Sequence, residues 1–158
     1  MKVVVVYDSK YGNTAKIANA LVSAIEEPNI TQLLLAQDAT NADLHRVGML
    51  IVGSPTQGGR PTQNIQKFLE NLPNGALKNI SVVAFDTRFA VDEHGVGLEL
   101  LMKTMGFAAS HIAAGLEAKG GVQLVEPEGF IVQQKEGPLR KSELDRANKW
   151  AKSLLSIR

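Results

Sequence analysis

Ser9-Lys10-Tyr11-Gly12-Asn13-Thr14 follows a short run of β-branched residues and precedes a helical stripe. The hydroxyls of Ser9 and Thr14 and the amide of Asn13 can each bond an oxyanion. Gly12 lets the backbone turn tightly and come close to a ligand. The first N–H groups of the following helix are left without intrahelical partners and aim the same way, so the start of the helix favours negative charge. The dipole term alone is worth roughly 0.3–1 kcal/mol. It matters here because several donors converge. The same residues also suit an ordinary capped helix start, with Asn13 or Ser9 as the cap.

A second run, Ser54-Pro55-Thr56-Gln57-Gly58-Gly59-Arg60-Pro61-Thr62, holds two glycines, two prolines and three hydroxyls. A surface turn with Thr62 as helix cap explains Pro61 and Thr62. It explains Gly58-Gly59 less well, because plain connections between strands and helices need only a few residues. A peptide carbonyl near either glycine can turn to accept a hydrogen bond at little conformational cost. A third run begins Asp86-Thr87-Arg88-Phe89 and continues through Gly95 and Gly97. It is long and unpatterned, as functional loops often are. Phe89 suits either a flat ring or a plug beneath the loop. Arg60 and Arg88 in these two runs are either close charges on a ligand or solvated ones.

Other chemistries find little support. The 158 residues contain no cysteine, which excludes disulfides, thiolate nucleophiles and cysteine-ligated zinc or iron–sulfur centres. His45, His94 and His111 lack metal-ligand spacing, so no metal site is expected. No catalytic side chains are singled out. Net charge is +1, from 17 basic and 16 acidic residues, and no basic run calls for nucleic acid. Asp8 follows the first strand, as acids do in phosphorelay receivers, but the position after the third reads Ser54-Pro55. Neither the Walker A loop nor the full dinucleotide glycine pattern occurs. Val3 to Val6 is too short for a leader core or a membrane span, so a cytoplasmic protein without membrane contact is expected.

The elements that must position these runs alternate along the chain. Val3–Val6, Ile30–Leu35, Met49–Val52 and Ile80–Phe85 read as buried strands, with Val122–Val125 and Phe130–Val132 as two parts of a fifth. Helical stripes lie over 13–27, with Ile17, Leu21 and Ile25 inward, and over 62–72 and 108–119. A turn or two of helix is expected at 41–46, and a short helix through Leu98, Leu101, Met102 and Met105, stopping at Gly106. Ser142 can cap a last helix whose buried face is Leu144, Ala147, Ala151 and Leu154, with Trp150 as packing. Strands alternating with helices imply parallel pairing through right-handed crossovers. The expected architecture is α/β, a three-layer, doubly wound, five-stranded parallel sheet of order 2-1-3-4-5. Without repeat or linker, 1–158 reads as a single domain.

The first run resembles the phosphate loop of the flavodoxin family, whose pattern is Thr/Ser-x-x-Gly-Asn-Thr. Gly53-Ser54-Pro55-Thr56-x-Gly-Gly-x-Pro61-Thr62 is similar to the ring-binding loop of small flavodoxin-like proteins. Ala84-Phe85-Asp86-Thr87-Arg88, Glu128-Gly129-Phe130 and Glu136-Gly137-Pro138-Leu139 look like the same subgroup. The resemblance spans nearly the whole chain. It implies flavin mononucleotide (FMN) as cofactor, placed between the first and third strands; flavodoxin with its FMN is the type example of that placement. It makes Ser9, Lys10, Tyr11, Gly12, Asn13 and Thr14 phosphate ligands. It makes Ser54, Pro55, Thr56, Gln57, Gly58, Gly59 and Arg60, with Asp86, Thr87, Arg88 and Phe89, the cradle of the ring. Gln57 stands where electron-carrier flavodoxins commonly place an aromatic, and the chain lacks their strong acidity.

The function so implied is one- or two-electron transfer between redox partner proteins, by a monomer or homodimer. Two others stay open: an FMN-dependent NAD(P)H:quinone-type reductase, and a flavin-free binding module on the same fold. The short chain favours the carrier, because no extra segment is present to form a nicotinamide or quinone pocket.

Overall fold

Val3, Val4, Val5 and Val6 have no exposed surface at all, so the strand that carries them is covered on both faces. In the computed structural model, which describes residues 1–89 and 106–157, this strand is β1 (Lys2–Tyr7). It pairs in parallel with β2 (Ile30–Leu35) on one side and β3 (Met49–Pro55) on the other, Val5 lying between Leu33 and Ile51. β3 pairs with β4 (Ser81–Phe89). Two short strands, β5 (Val122–Gln123) and β6 (Glu128–Val132), then follow one another along the far edge of β4. The order is β2-β1-β3-β4-β5, with β6 also on β4. The fifth strand is thus in two parts, as the sequence suggests, with Leu124 to Pro127 between them.

Strand alternation sorts the core into two layers. Val4, Val6, Leu50, Val52, Val82 and Ala84 face α2 (Gln63–Asn71) and α3 (Ala108–Ala118), meeting Ile65, Phe68, Ile112 and Leu116. Val3, Val5, Met49, Ile51, Val83 and Phe85 face α1 (Asn13–Ala24) and α4 (Glu143–Ile157), meeting Ile17, Leu21, Ala151 and Leu154. Trp150 packs edge-on against Phe85 and Phe130, with centroids 6.4 and 5.7 Å away. The helix expected at 41–46 is a single 3-10 turn, Asn41–Leu44.

Several boundaries differ from the sequence reading. α1 stops at Ala24 rather than Glu27; Pro28 disfavours helical geometry in the residue before it. β3 and β4 run on through Pro55 and Phe89, with Ser54 opposite Asp86 and Pro55 opposite Thr87. Asp86-Thr87-Arg88-Phe89 is therefore strand, not the start of a loop. Its polar side chains conceal this, because a buried polar residue breaks the hydrophobic pattern yet is stable when hydrogen-bonded. On α4 the buried face is Glu143, Ala147, Ala151 and Leu154, while Leu144 is 45% exposed. Ser142 has φ 75°, not the extended backbone of an ordinary cap, and its carbonyl accepts the Arg146 N–H at 2.9 Å. The helix expected over 98–105, together with His94, Gly95 and Gly97, lies outside the described residues. Among those described, no helix is long and apolar enough to cross a membrane.

Candidate functional site

A cavity of about 460 Å³ opens at the carboxyl edge of the sheet, where β1 and β3 part to wind in opposite directions. Its size is within the ~300–1,000 Å³ usual for small-molecule sites. Four segments wall it. The turn after β1 contributes Lys10, Tyr11, Asn13 and Thr14, and the end of β3 with its turn contributes Pro55, Thr56, Gln57 and Gly58. The end of β4 contributes Thr87, Arg88 and Phe89, and the end of β6 with its turn contributes Val132 and Lys135.

Hydrogen bonds between distant residues hold these segments in register. Ser9 Oγ accepts the N–H groups of Gly12 and Ala15, at 3.1 and 3.3 Å, and so fixes the first turn from outside the cavity. Gly12 has φ 93°, a conformation that side chains disfavour, and no side chain of its own caps α1. Ser9 therefore takes part of the capping role. Asp8 accepts the Ser9 N–H at 2.9 Å and the Thr62 hydroxyl at 2.5 Å, tying the first turn to the start of α2. Ser54 Oγ accepts the Thr62 N–H at 3.0 Å. Thr14 and Thr87 share a buried hydroxyl contact at 2.8 Å across the cavity floor.

Gln57 and Arg60 exchange both backbone hydrogen bonds, at 2.9 and 3.0 Å. Gly58 and Gly59 between them have φ 58° and 79°. This is the two-residue turn for which glycine is favoured, because both central residues need positive φ. Gly58 borders the cavity, while Gly59 is buried and does not. Arg60 is exposed on the other side of the turn, in a separate depression with Gln66, Glu70 and His111.

Asp86 is wholly buried and does not border the cavity. Its carboxylate accepts Nε and one terminal nitrogen of Arg88, at 2.6 and 2.7 Å, and the Ala109 N–H at 2.9 Å. Thr56 Oγ1 accepts the Ala108 N–H at 3.1 Å, so Asp86 and Thr56 together satisfy the first turn of α3. Burial pushes the Asp86 carboxyl above its ordinary value; bonds from Arg88, its charge, and the bonds from Ala109 and Thr56 oppose that push without cancelling it. Arg88 lies flat on Phe107 at 3.6 Å. A Cβ on Gly129 would run into the guanidinium, so glycine there is what makes room for it.

Of the residues singled out in the sequence, Ser9, Gly12, Ser54, Gly59, Arg60 and Asp86 stand behind or beside the cavity wall, and the others border it. Val132, Lys135 and Phe107 were missed. The one available signal was the turn sequence Glu136-Gly137-Pro138 beside Lys135. The described lining carries three cations, Lys10, Arg88 and Lys135, and no carboxylate. Among the described residues no group of three His, Cys, Asp or Glu side chains could hold a metal ion. The arrangement is suited to holding a flat, partly apolar, anionic molecule.

Residues 4–114 match the model of the flavodoxin domain. The chain belongs to the flavodoxin family. Solved flavodoxins share its fold from end to end. Flavodoxin 2 from Bacillus cereus is 18% identical with a TM-score of 0.73, each chain covered in full. An archaeal flavodoxin is 20% identical with a TM-score of 0.71 over 99% of both chains. The flavodiiron protein of Giardia intestinalis is 20% identical with a TM-score of 0.71, over 99% of this chain and 36% of that one. No curated protein matches the chain.

Proposed function

We propose that this flavodoxin-family chain holds one FMN in the cavity and carries electrons between redox partner proteins. The observation that carries the reading is the meeting of three hydrogen-bonded segments at the β1/β3 switch point, with a helix N-terminus at one end and a paired-glycine turn at the other. When bound, FMN supplies one- and two-electron transfer; the protein supplies binding, orientation and electrostatics.

The chain's own residues divide that work by position. Asn13 and Thr14, at the start of α1 and on the cavity wall, would bind the phosphate. Ser9, outside the cavity, keeps Gly12 in its left-handed turn. Thr56, Gln57 and Gly58 at the end of β3, with Thr87, Arg88 and Phe89 at the end of β4, would hold the ring. The backbone of Gly58, on the cavity wall, would offer a hydrogen bond to the ring. Asp86, behind the wall, holds the Arg88 guanidinium in place.

The test separates a carrier from a reductase. The FMN-loaded protein, reduced chemically without oxygen, should pass single electrons to ferric cytochrome c. It should not accelerate NADH or NADPH oxidation in the presence of a quinone. Turnover of the nicotinamide with the quinone would replace the carrier reading by the reductase one.

A further inference from the structure

One wall of the cavity comes from a segment outside the three runs that suggest it. After β6 the chain makes a compact turn over 133–138. Gln133 N–H donates to Pro138 O at 2.9 Å, Gly137 N–H to Gln134 O at 3.0 Å, and Arg140 N–H to Ile131 O at 2.8 Å. The base of this turn is anchored to α4. Glu143, 6% exposed, accepts the Ile131 N–H at 2.7 Å, while Arg146 bonds the Gly129 carbonyl at 2.5 Å and Glu128 at 3.0 Å.

The tip of the turn rests on the first loop. Asn13 Nδ2 donates to the Glu136 carbonyl at 3.1 Å, and Asn13 itself is 7% exposed. The contact is close. Gly137 has φ 109°, and a Cβ there would stand 2.8 Å from Asn13 Oδ1. Lys135, one residue before Glu136, lies on the wall of the same cavity as Lys10, Tyr11, Asn13 and Thr14. Lys10 Nζ lies over the Tyr11 ring, 5.4 Å from its centroid.

We infer that Lys135, on the cavity wall one residue from the turn's contact with Asn13, acts on the phosphate and makes the cavity select a phosphorylated flavin over the unphosphorylated one. This rests on the FMN reading above. A phosphate monoester carries about −1.5 to −2 charges at pH 7. A helix start offers only about half a positive charge. An ammonium group with three donors on a turn pinned to the same loop supplies the remainder. Riboflavin has the same ring without the phosphate, so Lys135 discriminates between two ligands that the ring-side residues treat alike.

The test measures dissociation constants of FMN and riboflavin by flavin fluorescence, for the parent protein, K135Q, K135R and K135E. K135Q should weaken FMN by roughly 3–10-fold, of the order of 1 kcal/mol. Riboflavin should stay within about twofold. K135R should keep most of the preference, and K135E should lose more of it than K135Q. Raised salt should narrow the FMN–riboflavin gap in the parent more than in K135Q. Lys135 is exposed on a turn, and unchanged thermal midpoints identify variants that fold. Equal weakening of both flavins in K135Q, or unchanged FMN affinity in both K135Q and K135E, overturns the inference and leaves the FMN reading standing. A parent protein that binds neither flavin overturns both.

Discussion

The carboxylate of Asp86 and the guanidinium of Arg88 meet edge to edge at 2.6 and 2.7 Å, two residues apart on the same strand. Both side chains leave the same face of β4, and the Phe107 ring lies against the guanidinium. Arg88 therefore confronts the cavity as the outer half of an ion pair, not as a free charge on a loop. Its effect on a bound ligand is tempered by the acid behind it.

Removing the cation should expose that acid. Arg88→Gln leaves a buried carboxylate with Ala109 and Thr56 as its partners among the described residues, a defect that costs about 3–5 kcal/mol in comparable pairs. The Asp86 pKa in the folded protein lies above the ordinary 3.8, so the native state binds more protons than the unfolded one between those values. Its contribution to stability thus falls as pH rises through that window. Losing Arg88 moves the upper end of the window higher. Urea denaturation should show a larger loss for the variant at pH 8 than at pH 5. An equal loss at both would mean that Asp86 does not titrate as the burial requires.

The opposite substitution tests the same pair from the cavity side. Asp86→Asn keeps an acceptor for the Ala109 N–H and leaves the Arg88 charge uncompensated. A reduced flavin carries more negative charge than an oxidised one. The reduction potential of the bound FMN should therefore rise, by about 59 mV for each tenfold gain in relative affinity in a one-electron step. An unchanged or lowered potential would show that the guanidinium does not reach the ring electrostatically.

Glu143 should set part of the acid limit of stability. Burial raises its pKa, but the bonds from Arg146 and Ile131 and the charges of Arg146 and Arg140 outweigh burial, so the group sits below the ordinary 4.5. The stability it contributes is present above 4.5 and disappears as pH falls through the depressed folded value. Glu143→Gln should cost about 1.5–3 kcal/mol at pH 7, the usual worth of bonds to a charged group. That difference should shrink in a denaturation series taken below pH 4.

Gly53 lies beneath the ring of Phe85, and a Cβ there would enter the ring itself. Gly53→Ala should lower stability by about 1–3 kcal/mol through overpacking. For a chain of this size the thermal midpoint should fall by roughly 2–4 °C for each kcal/mol. An unchanged midpoint would show that Phe85 can move aside.

Gln57 borders the cavity and is exposed. Gln57→Trp places an aromatic face where the ring is proposed to lie. Such a contact is worth about 0.5–1.5 kcal/mol, so FMN affinity should rise roughly 2–10-fold with stronger quenching of flavin fluorescence. Weaker binding would place the ring elsewhere.

The strands and the layering were legible because Val3–Val6 and Met49–Val52 are continuous apolar runs, and Ile17, Leu21 and Leu154 repeat at helical spacing. The polar ends of β3 and β4 were not. Ser54 and Asp86 are as buried as any valine, but their partners, Thr62 and Ala109, lie at the starts of the helices that follow, and a hydrophobic pattern carries no trace of such bonds. The same holds on α4. Leu144 looks like a core residue and Glu143 a surface one, yet a single backbone N–H from β6 and the charge of Arg146 turn Glu143 inward.

The cavity was legible in its first two loops, where glycine and hydroxyl residues mark special backbone and converging donors. Arg60 and Arg88 looked equivalent in sequence; register separates them, one facing a different depression and one the cavity. Lys135 looks like any surface lysine. The contact between Asn13 and Glu136, 123 residues apart, holds its turn against the first loop.

The central claim is that this edge of the sheet encloses a phosphorylated flavin. A titration of the purified protein into FMN, followed by visible absorbance, tests it most directly. The account predicts shifted flavin bands that saturate at one FMN per chain, at micromolar concentration or below. A folded protein that leaves the flavin spectrum unchanged at those concentrations would contradict it.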